Sequence, residues 1–231
     1  MSSSWIKFIF ILFCAAYQSF GQNSYSKIYN REFQETIQFY YSHKKYFEKS
    51  AYKIKLSPPF LFSIVAPEIS QYSSIYNEAE LYSLKVMYSQ YGKDYSNFSI
   101  GYFQMKPSFI ESLEEFIMEN PKELKKFNYI LIEGPQSKNS RIKRLERLSS
   151  LKWQFKYLSA FCAIVQLRFK NESFESNEDK LKFYATAYNS GFNQSLYHLK
   201  KMQQKKFFPR ISLNKFNYAD VSYLFYQNIN K

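Results

Sequence analysis

The stretch Leu151-Lys152-Trp153-Gln154-Phe155-Lys156-Tyr157-Leu158-Ser159-Ala160-Phe161-Cys162-Ala163-Ile164-Val165-Gln166-Leu167-Arg168-Phe169 decides the fold class. Leu151, Phe155, Leu158, Cys162, Val165 and Phe169 recur at alternating steps of four and three, which puts them on one face of an α-helix. Lys152, Lys156, Ser159 and Gln166 fall off that face. The spacing predicts one long helix over about Arg141 to Lys170, a core element against which other helices pack. The repeat is too short for a sustained coiled-coil seam.

Working outward, a helix is expected from about Asn177 to Asn189, stopped by Gly191, and a last one near Ala219 to Asn228. Upstream, Ser57-Pro58-Pro59 reads as a helix start, with Ser57 as cap and Pro58 in the first turn, where an N–H lacks an intrahelical partner. That helix runs through Phe60, Leu61, Ile64 and Val65 toward Glu68, and Pro67 should kink or end it. Asn77 and Glu80 have capping-box spacing ahead of Leu81, Leu84, Tyr88 and Tyr91, with Gly92 as stop. Residues 93 to 100 are turn-rich, and Pro107 opens a helix carrying Phe109, Leu113 and Phe116. Tyr129-Ile130-Leu131-Ile132 is expected as a short strand or extended loop. Only five glycines in 231 residues are few for a turn-rich β fold, so the chain reads as mainly α.

Hydrophobic residues make up 45% of the chain, enough for a real core, and aromatics are heavy, with 24 Phe and 22 Tyr. The formal net charge is +13, with clusters at Lys122 to Lys126, Lys138 to Arg147 and Lys200 to Lys206. Such a surface attracts polyanions. Lys7 precedes the apolar run Phe8 to Ala16, and Ser19 and Gly21 supply small residues before a cut, so residues 1–21 read as an export signal. Phe13 makes Cys14 a poor lipoprotein acceptor, and no segment reaches the ~18 to 20 apolar residues of a span. An exported protein without a stable membrane anchor is expected, in the periplasm or outside the cell. Cleavage would leave Cys162 alone, a structural thiol on an apolar stripe. His43 and His198 lack ligand spacing, so neither a metal nor another cofactor is expected. The basic clusters lack interleaved stacking platforms, so nucleic acid is not the expected partner.

Three short segments carry the chemistry. Glu68 closes the apolar run Phe60 to Ala66 and is followed by Ile69 and Ser70. Burial beside such groups raises a carboxyl pKa, so the acid can hold a proton near neutral pH. Next come Gly101-Tyr102-Phe103-Gln104-Met105 and, late in the chain, Ala187-Tyr188-Asn189-Ser190-Gly191. This order resembles the lysozyme-like superfamily, and most closely the lytic transglycosylases of the soluble type. Those enzymes carry a catalytic Glu-Ser at a helix end, then a Gly-Leu-Met-Gln segment, then Ala-Tyr-Asn-x-Gly.

The resemblance covers about Ser57 to Lys200 and implies a lysozyme-like helical domain over 57–200. An N-terminal helical extension would occupy 22–56, and a C-terminal extension packing on the domain 201–231. It implies Glu68 as the single acid/base. Ser70, Gly101, Tyr102, Phe103, Gln104, Met105, Tyr188 and Asn189 would contact glycan, with Tyr188 and Asn189 on the wall opposite Glu68. The implied reaction is cleavage of peptidoglycan between N-acetylmuramic acid and N-acetylglucosamine with formation of a 1,6-anhydro sugar. Ile69 stands where Ser is usual, Tyr102-Phe103 replaces Leu-Met, and the interval from Glu68 to Gln104 is longer than the family's. A lysozyme-type hydrolase would need a second carboxylate, for which Asp94 is the best placed and Glu78 and Glu80 weaker. A non-catalytic exported wall-binding module would carry the same segments.

Overall fold

The computed structural model describes residues 24–72 and 78–230 and is mainly helical. The export-signal segment and the Asn77 end of the expected capping box lie outside the described residues. The helices are α1 (Asn30–Ser42), α2 (Lys44–Tyr52), α3 (Pro58–Ser70), α4 (Glu78–Tyr91), α5 (Pro107–Glu119), α6 (Lys138–Leu148), α7 (Leu151–Arg168), α8 (Asn177–Ser190), α9 (Leu196–Met202) and α10 (Tyr218–Ile229). A two-stranded antiparallel ribbon, β1 (Lys206–Phe208) with β2 (Phe216–Asn217), precedes α10.

The expected single helix over 141–170 is two. It breaks at Ser149 and Ser150, between α6 and α7. Ser149 Oγ donates back to the Leu145 carbonyl at 2.9 Å, and Gln154 Nε2 donates to the Leu148 carbonyl at 2.7 Å. The Leu145 carbonyl also keeps its bond from the Ser149 N–H at 3.0 Å, so the Ser149 hydroxyl adds a second donor there, while Gln154 satisfies the Leu148 carbonyl that a continuous helix would bond through its backbone. Nor is α7 one-sided. Gln154, Phe155 and every residue from Tyr157 to Val165 are buried, including Ser159, whose hydroxyl donates to the Phe155 carbonyl at 3.0 Å. A helix buried all round is a central element rather than a surface helix with one apolar stripe.

The second central helix is α3. Ser57 caps it by accepting from the Phe60 N–H at 3.3 Å, with proline in the first turn. Pro67 does not end it; the helix continues to Ser70. Among its residues, Leu61, Phe62, Ile64, Val65 and Ala66 are fully buried. Each large apolar side chain so buried contributes roughly 1.5–3 kcal/mol of transfer free energy. α1, α2, α8 and α10 pack around α3, while α7 joins α2, α5, α6 and α8. Of the two readings offered for 129–132, a short strand or an extended loop, the strand does not form: the segment is the end of a 3₁₀ turn, Lys125–Ile130, followed by a loop.

The core is continuous from Tyr25 to Phe225 and strongly aromatic. Both ends of the described chain enter it. Tyr25 packs against Phe208, Phe216 and Phe225, and Phe33 stacks on Phe225 at 4.5 Å. No described helix is long and apolar enough to cross a membrane.

Candidate functional site

The C-terminal turn of α3, the turn Gly101–Gln104, the start of α5, the C-terminal end of α8 and the β1–β2 loop enclose one cleft of about 610 Å³. Each wall is held by its own local chemistry. Ile100 and Met105 exchange two backbone hydrogen bonds (2.9 and 3.2 Å), which closes a tight loop over residues 101–104. Gly101 has φ +72°, and a Cβ there would meet Gln154 Nε2 at 1.8 Å, so only glycine allows this approach. Gln154, buried on α7, accepts from the Phe103 N–H at 2.9 Å and so ties the loop to the α6–α7 break. Gln104 sits at φ +47°, which costs a residue with a Cβ about 1–2 kcal/mol. Its Nε2 donates to the Gly101 carbonyl at 2.8 Å.

From the opposite side, the Tyr188 hydroxyl donates to the Phe103 carbonyl at 2.6 Å. This bond joins the second segment to the third and spends the phenol proton on architecture. Gly191 ends α8 at φ +97°. Just before it, Asn189 Nδ2 and Ser190 Oγ are shielded from solvent and have no hydrogen-bond partner among the described residues. Both residues line the cleft.

Glu68 projects from the last turn of α3 into the cleft, with no hydrogen bond or ion pair to the described residues. Burial pushes its carboxyl up to about 7, against the opposing pull of Arg210 and Lys106. The Tyr188 and Tyr218 phenols are raised first by burial and next by the nearby Glu68 charge. Tyr218 donates to the Ile64 carbonyl at 3.0 Å, one turn before Glu68. Glu68 is thus walled by phenols whose protons are committed to carbonyls elsewhere.

Of the residues singled out from sequence, the structure brings Glu68, Gln104, Met105, Tyr188 and Asn189 to this cleft. It does not bring Ser70, Gly101, Tyr102 or Phe103 to the lining. Ser70 is buried and bonded to the Tyr25 hydroxyl (2.6 Å) and the Pro67 carbonyl (2.7 Å). Phe103 is fully buried among Phe39, Phe47 and Phe155. Tyr102 faces away, against Tyr72 and Phe39. Gly101 acts through the close approach of Gln154. Asp94 is exposed and does not line the cleft, nor does Glu80; the Glu78 side chain lies outside the described residues. Glu68 is the one carboxylate among the described lining residues.

The sequence reading missed Lys93, Lys106 and the wall formed by Phe207, Phe208, Pro209, Arg210 and Ile211. Lys106 was within reach, since it follows Gln104-Met105 directly and precedes the helix-opening Pro107. The Phe-Pro-Arg turn signals a loop, but nothing local in it says that the loop folds back over α3. Cys162 is fully buried, and burial pushes its thiol up, as befits a packing residue. No group of three or more His, Cys, Asp or Glu among the described residues is placed to hold a metal ion.

No protein-family model, curated protein or solved structure matches the chain.

Proposed function

We propose that the protein is an exported lytic transglycosylase that cleaves peptidoglycan strands between N-acetylmuramic acid and N-acetylglucosamine. The observation that carries this reading is a lone carboxyl, lifted toward neutral pH by burial, in a cleft whose described lining holds no second carboxylate. Hydrolysis by the usual two-carboxylate routes needs a partner to activate water or to act as nucleophile. A single acid suffices when the substrate supplies the nucleophile itself.

Glu68 protonates the glycosidic oxygen as the bond breaks, and the substrate's acetamido oxygen stabilises the oxocarbenium-like carbon. The carboxylate so formed then accepts the proton of the muramyl C6 hydroxyl, whose oxygen attacks C1. The proton balance closes on Glu68, no water is consumed, and a 1,6-anhydro ring results. An acid with its pKa near the working pH supplies ~10²- to 10⁴-fold of rate. Asn189 Nδ2, shielded and without a hydrogen-bond partner among the described residues, is a ready donor for a sugar oxygen or the acetamido carbonyl. Gln104, held by its bond to Gly101, offers its Oε1 as an acceptor.

The test is digestion of purified cell-wall sacculi followed by mass spectrometry of the released fragments. Anhydro-muropeptides that disappear with Glu68→Gln support the reading. Reducing-end products, undiminished turnover in Glu68→Gln, or wall binding without any release would each overturn it.

A further inference from the structure

Apart from Lys106 and Arg210, the buried or cleft-lining cations among the described residues are engaged by protein groups: Arg147 donates to the Ile130 carbonyl and stacks on Trp153, and the rest pair with carboxylates. Arg144 contacts Glu114 at 2.6 Å, Lys182 contacts Glu178 and Asp220 at 2.8 and 2.9 Å, and Lys93 contacts Glu111 at 3.1 Å. Two cations of the cleft break this pattern. Lys106, half-buried just before α5, and Arg210, on the β1–β2 loop, make no side-chain hydrogen bond or ion pair with the described residues. They are close enough to act on each other. Lys106 is pulled down by burial and then by the Arg210 charge, and Glu68 feels both.

Arg210 is not there by chance of a loose loop. Lys215 Nζ donates to the carbonyls of Pro209 and Arg210 at 2.7 and 2.8 Å, and the Tyr29 hydroxyl donates to Ser212 Oγ at 2.6 Å. Phe208 is locked edge-on against Tyr218. The fold therefore puts two like charges on one cleft, within reach of each other's field, where Glu68 is the only described carboxylate. An anion lying between them relieves their repulsion and forms charge-assisted hydrogen bonds, bidentate at the guanidinium.

We propose that Lys106 and Arg210 form a carboxylate-binding subsite beside Glu68, so that the preferred substrate is a glycan strand bearing free carboxylates next to the scissile bond rather than a neutral amino-sugar chain. The inference rests on reading the cleft as a glycan site. The carboxylate could be the lactyl group of a peptide-free muramic acid or a side group of an attached stem peptide; both present the same chemistry to the two cations.

The test is isothermal titration of the full chain carrying Glu68→Gln with three probes. These are chitotetraose, a peptide-free N-acetylglucosamine–N-acetylmuramic acid tetrasaccharide, and the same tetrasaccharide bearing stem peptides. At least one charged probe should bind about 10-fold more tightly than chitotetraose, the yield of one charge-assisted hydrogen bond. The advantage should shrink with added salt. Adding Arg210→Gln or Lys106→Gln should cost the charged probe most of that advantage and the neutral probe far less. Whichever charged probe carries the gain identifies the source of the carboxylate. Equal or undetectable binding of all three probes, or a gain untouched by both substitutions, overturns the inference. The transglycosylase reading has its own readout in the anhydro products of wild-type digestion. Charge preference without such products overturns that reading and leaves the subsite standing; products without charge preference do the reverse.

Discussion

Burial raises the carboxyls of both Glu68 at the end of α3 and Glu114 within α5, yet their surroundings are opposite. Glu114 is gripped by Arg144, with Nη2 at 2.6 Å and Nε at 3.0 and 3.1 Å from its oxygens. Arg144 is fully buried and also lies 3.7 Å from Glu111, which accepts from the Tyr88 hydroxyl at 2.7 Å. This knot joins α4, α5 and α6 and touches no part of the cleft except through Lys93. Glu68 has charges near it but none in contact. A carboxylate fixed by a partner is committed to one protonation state and one place. A carboxyl that is shielded, unpaired and open to a cleft can release and recover a proton without disturbing the fold.

The contrast breaks most readily at its two anchor points. Arg144→Met leaves Glu114 buried without its counter-charge and Glu111 with Lys93 alone, and should cost about 3–5 kcal/mol in urea unfolding. Glu68→Gln should do the reverse, sparing the fold while lowering turnover ~10²- to 10⁴-fold. A stable Arg144→Met, or an unfolded Glu68→Gln, would erase the distinction.

pH sharpens the same contrast with a smaller effect. Burial lifts the folded Glu68 carboxyl to about 7, from the 4.5 of an ordinary glutamate. Between these values the unfolded chain has lost a proton that the folded protein still holds, so Glu68 makes stability fall as pH rises through that window. Above it, Glu68→Gln should be more stable than wild type by roughly 2 kcal/mol, less than the full shift implies because the carboxyl opens to the cleft. Unfolding midpoints of both proteins from pH 4 to 8 check this, and turnover should decline as pH passes about 7. Parallel stability profiles would mean that Glu68 is not shielded.

Gly101→Ala probes the wall rather than the acid. The new methyl must displace the Gln154 amide and occupy a left-handed conformation, for a loss of about 1–2 kcal/mol. It should raise KM by shifting Gln104, and an unchanged KM would detach that loop from substrate binding. Tyr188→Phe is the mildest change. It leaves the Phe103 carbonyl without its 2.6 Å donor, at a cost of about 1 kcal/mol, and should slow turnover less than tenfold. A loss as deep as that of Glu68→Gln would show that the Tyr188 hydroxyl acts on the substrate instead.

What could be read in the sequence was what local chemistry dictates. Ser57 through its capping hydroxyl, Pro58 and Pro107 through their rings and Gly191 through its positive φ mark element ends, and α3, α5 and α8 follow. The gathering of Glu68, Gln104 and Asn189 was legible only as an order of segments, and the structure puts them on one cleft. The break between α6 and α7 was hidden because it depends on side-chain bonds from Ser149 and Gln154, not on a glycine or proline. Ser70 and Phe103 looked available beside site residues, but Tyr25 and Phe155, far away in sequence, bury them. Arg210 was unreadable for the same reason, since a ribbon of three and two residues and its loop are held by Tyr29, just before α1, and by Tyr218 of α10.

The span that resembles a glycan-cleaving domain, 57–200, stops short of Phe207 to Ile211, and the bond steadying that loop comes from Tyr29. A trimmed fragment limited to that span would keep the acid and lose both a wall and its brace. The stretch around Tyr29 and the β1–β2 loop meet beside the cleft like a clasp, so cutting back either one alters the cleft that holds Glu68.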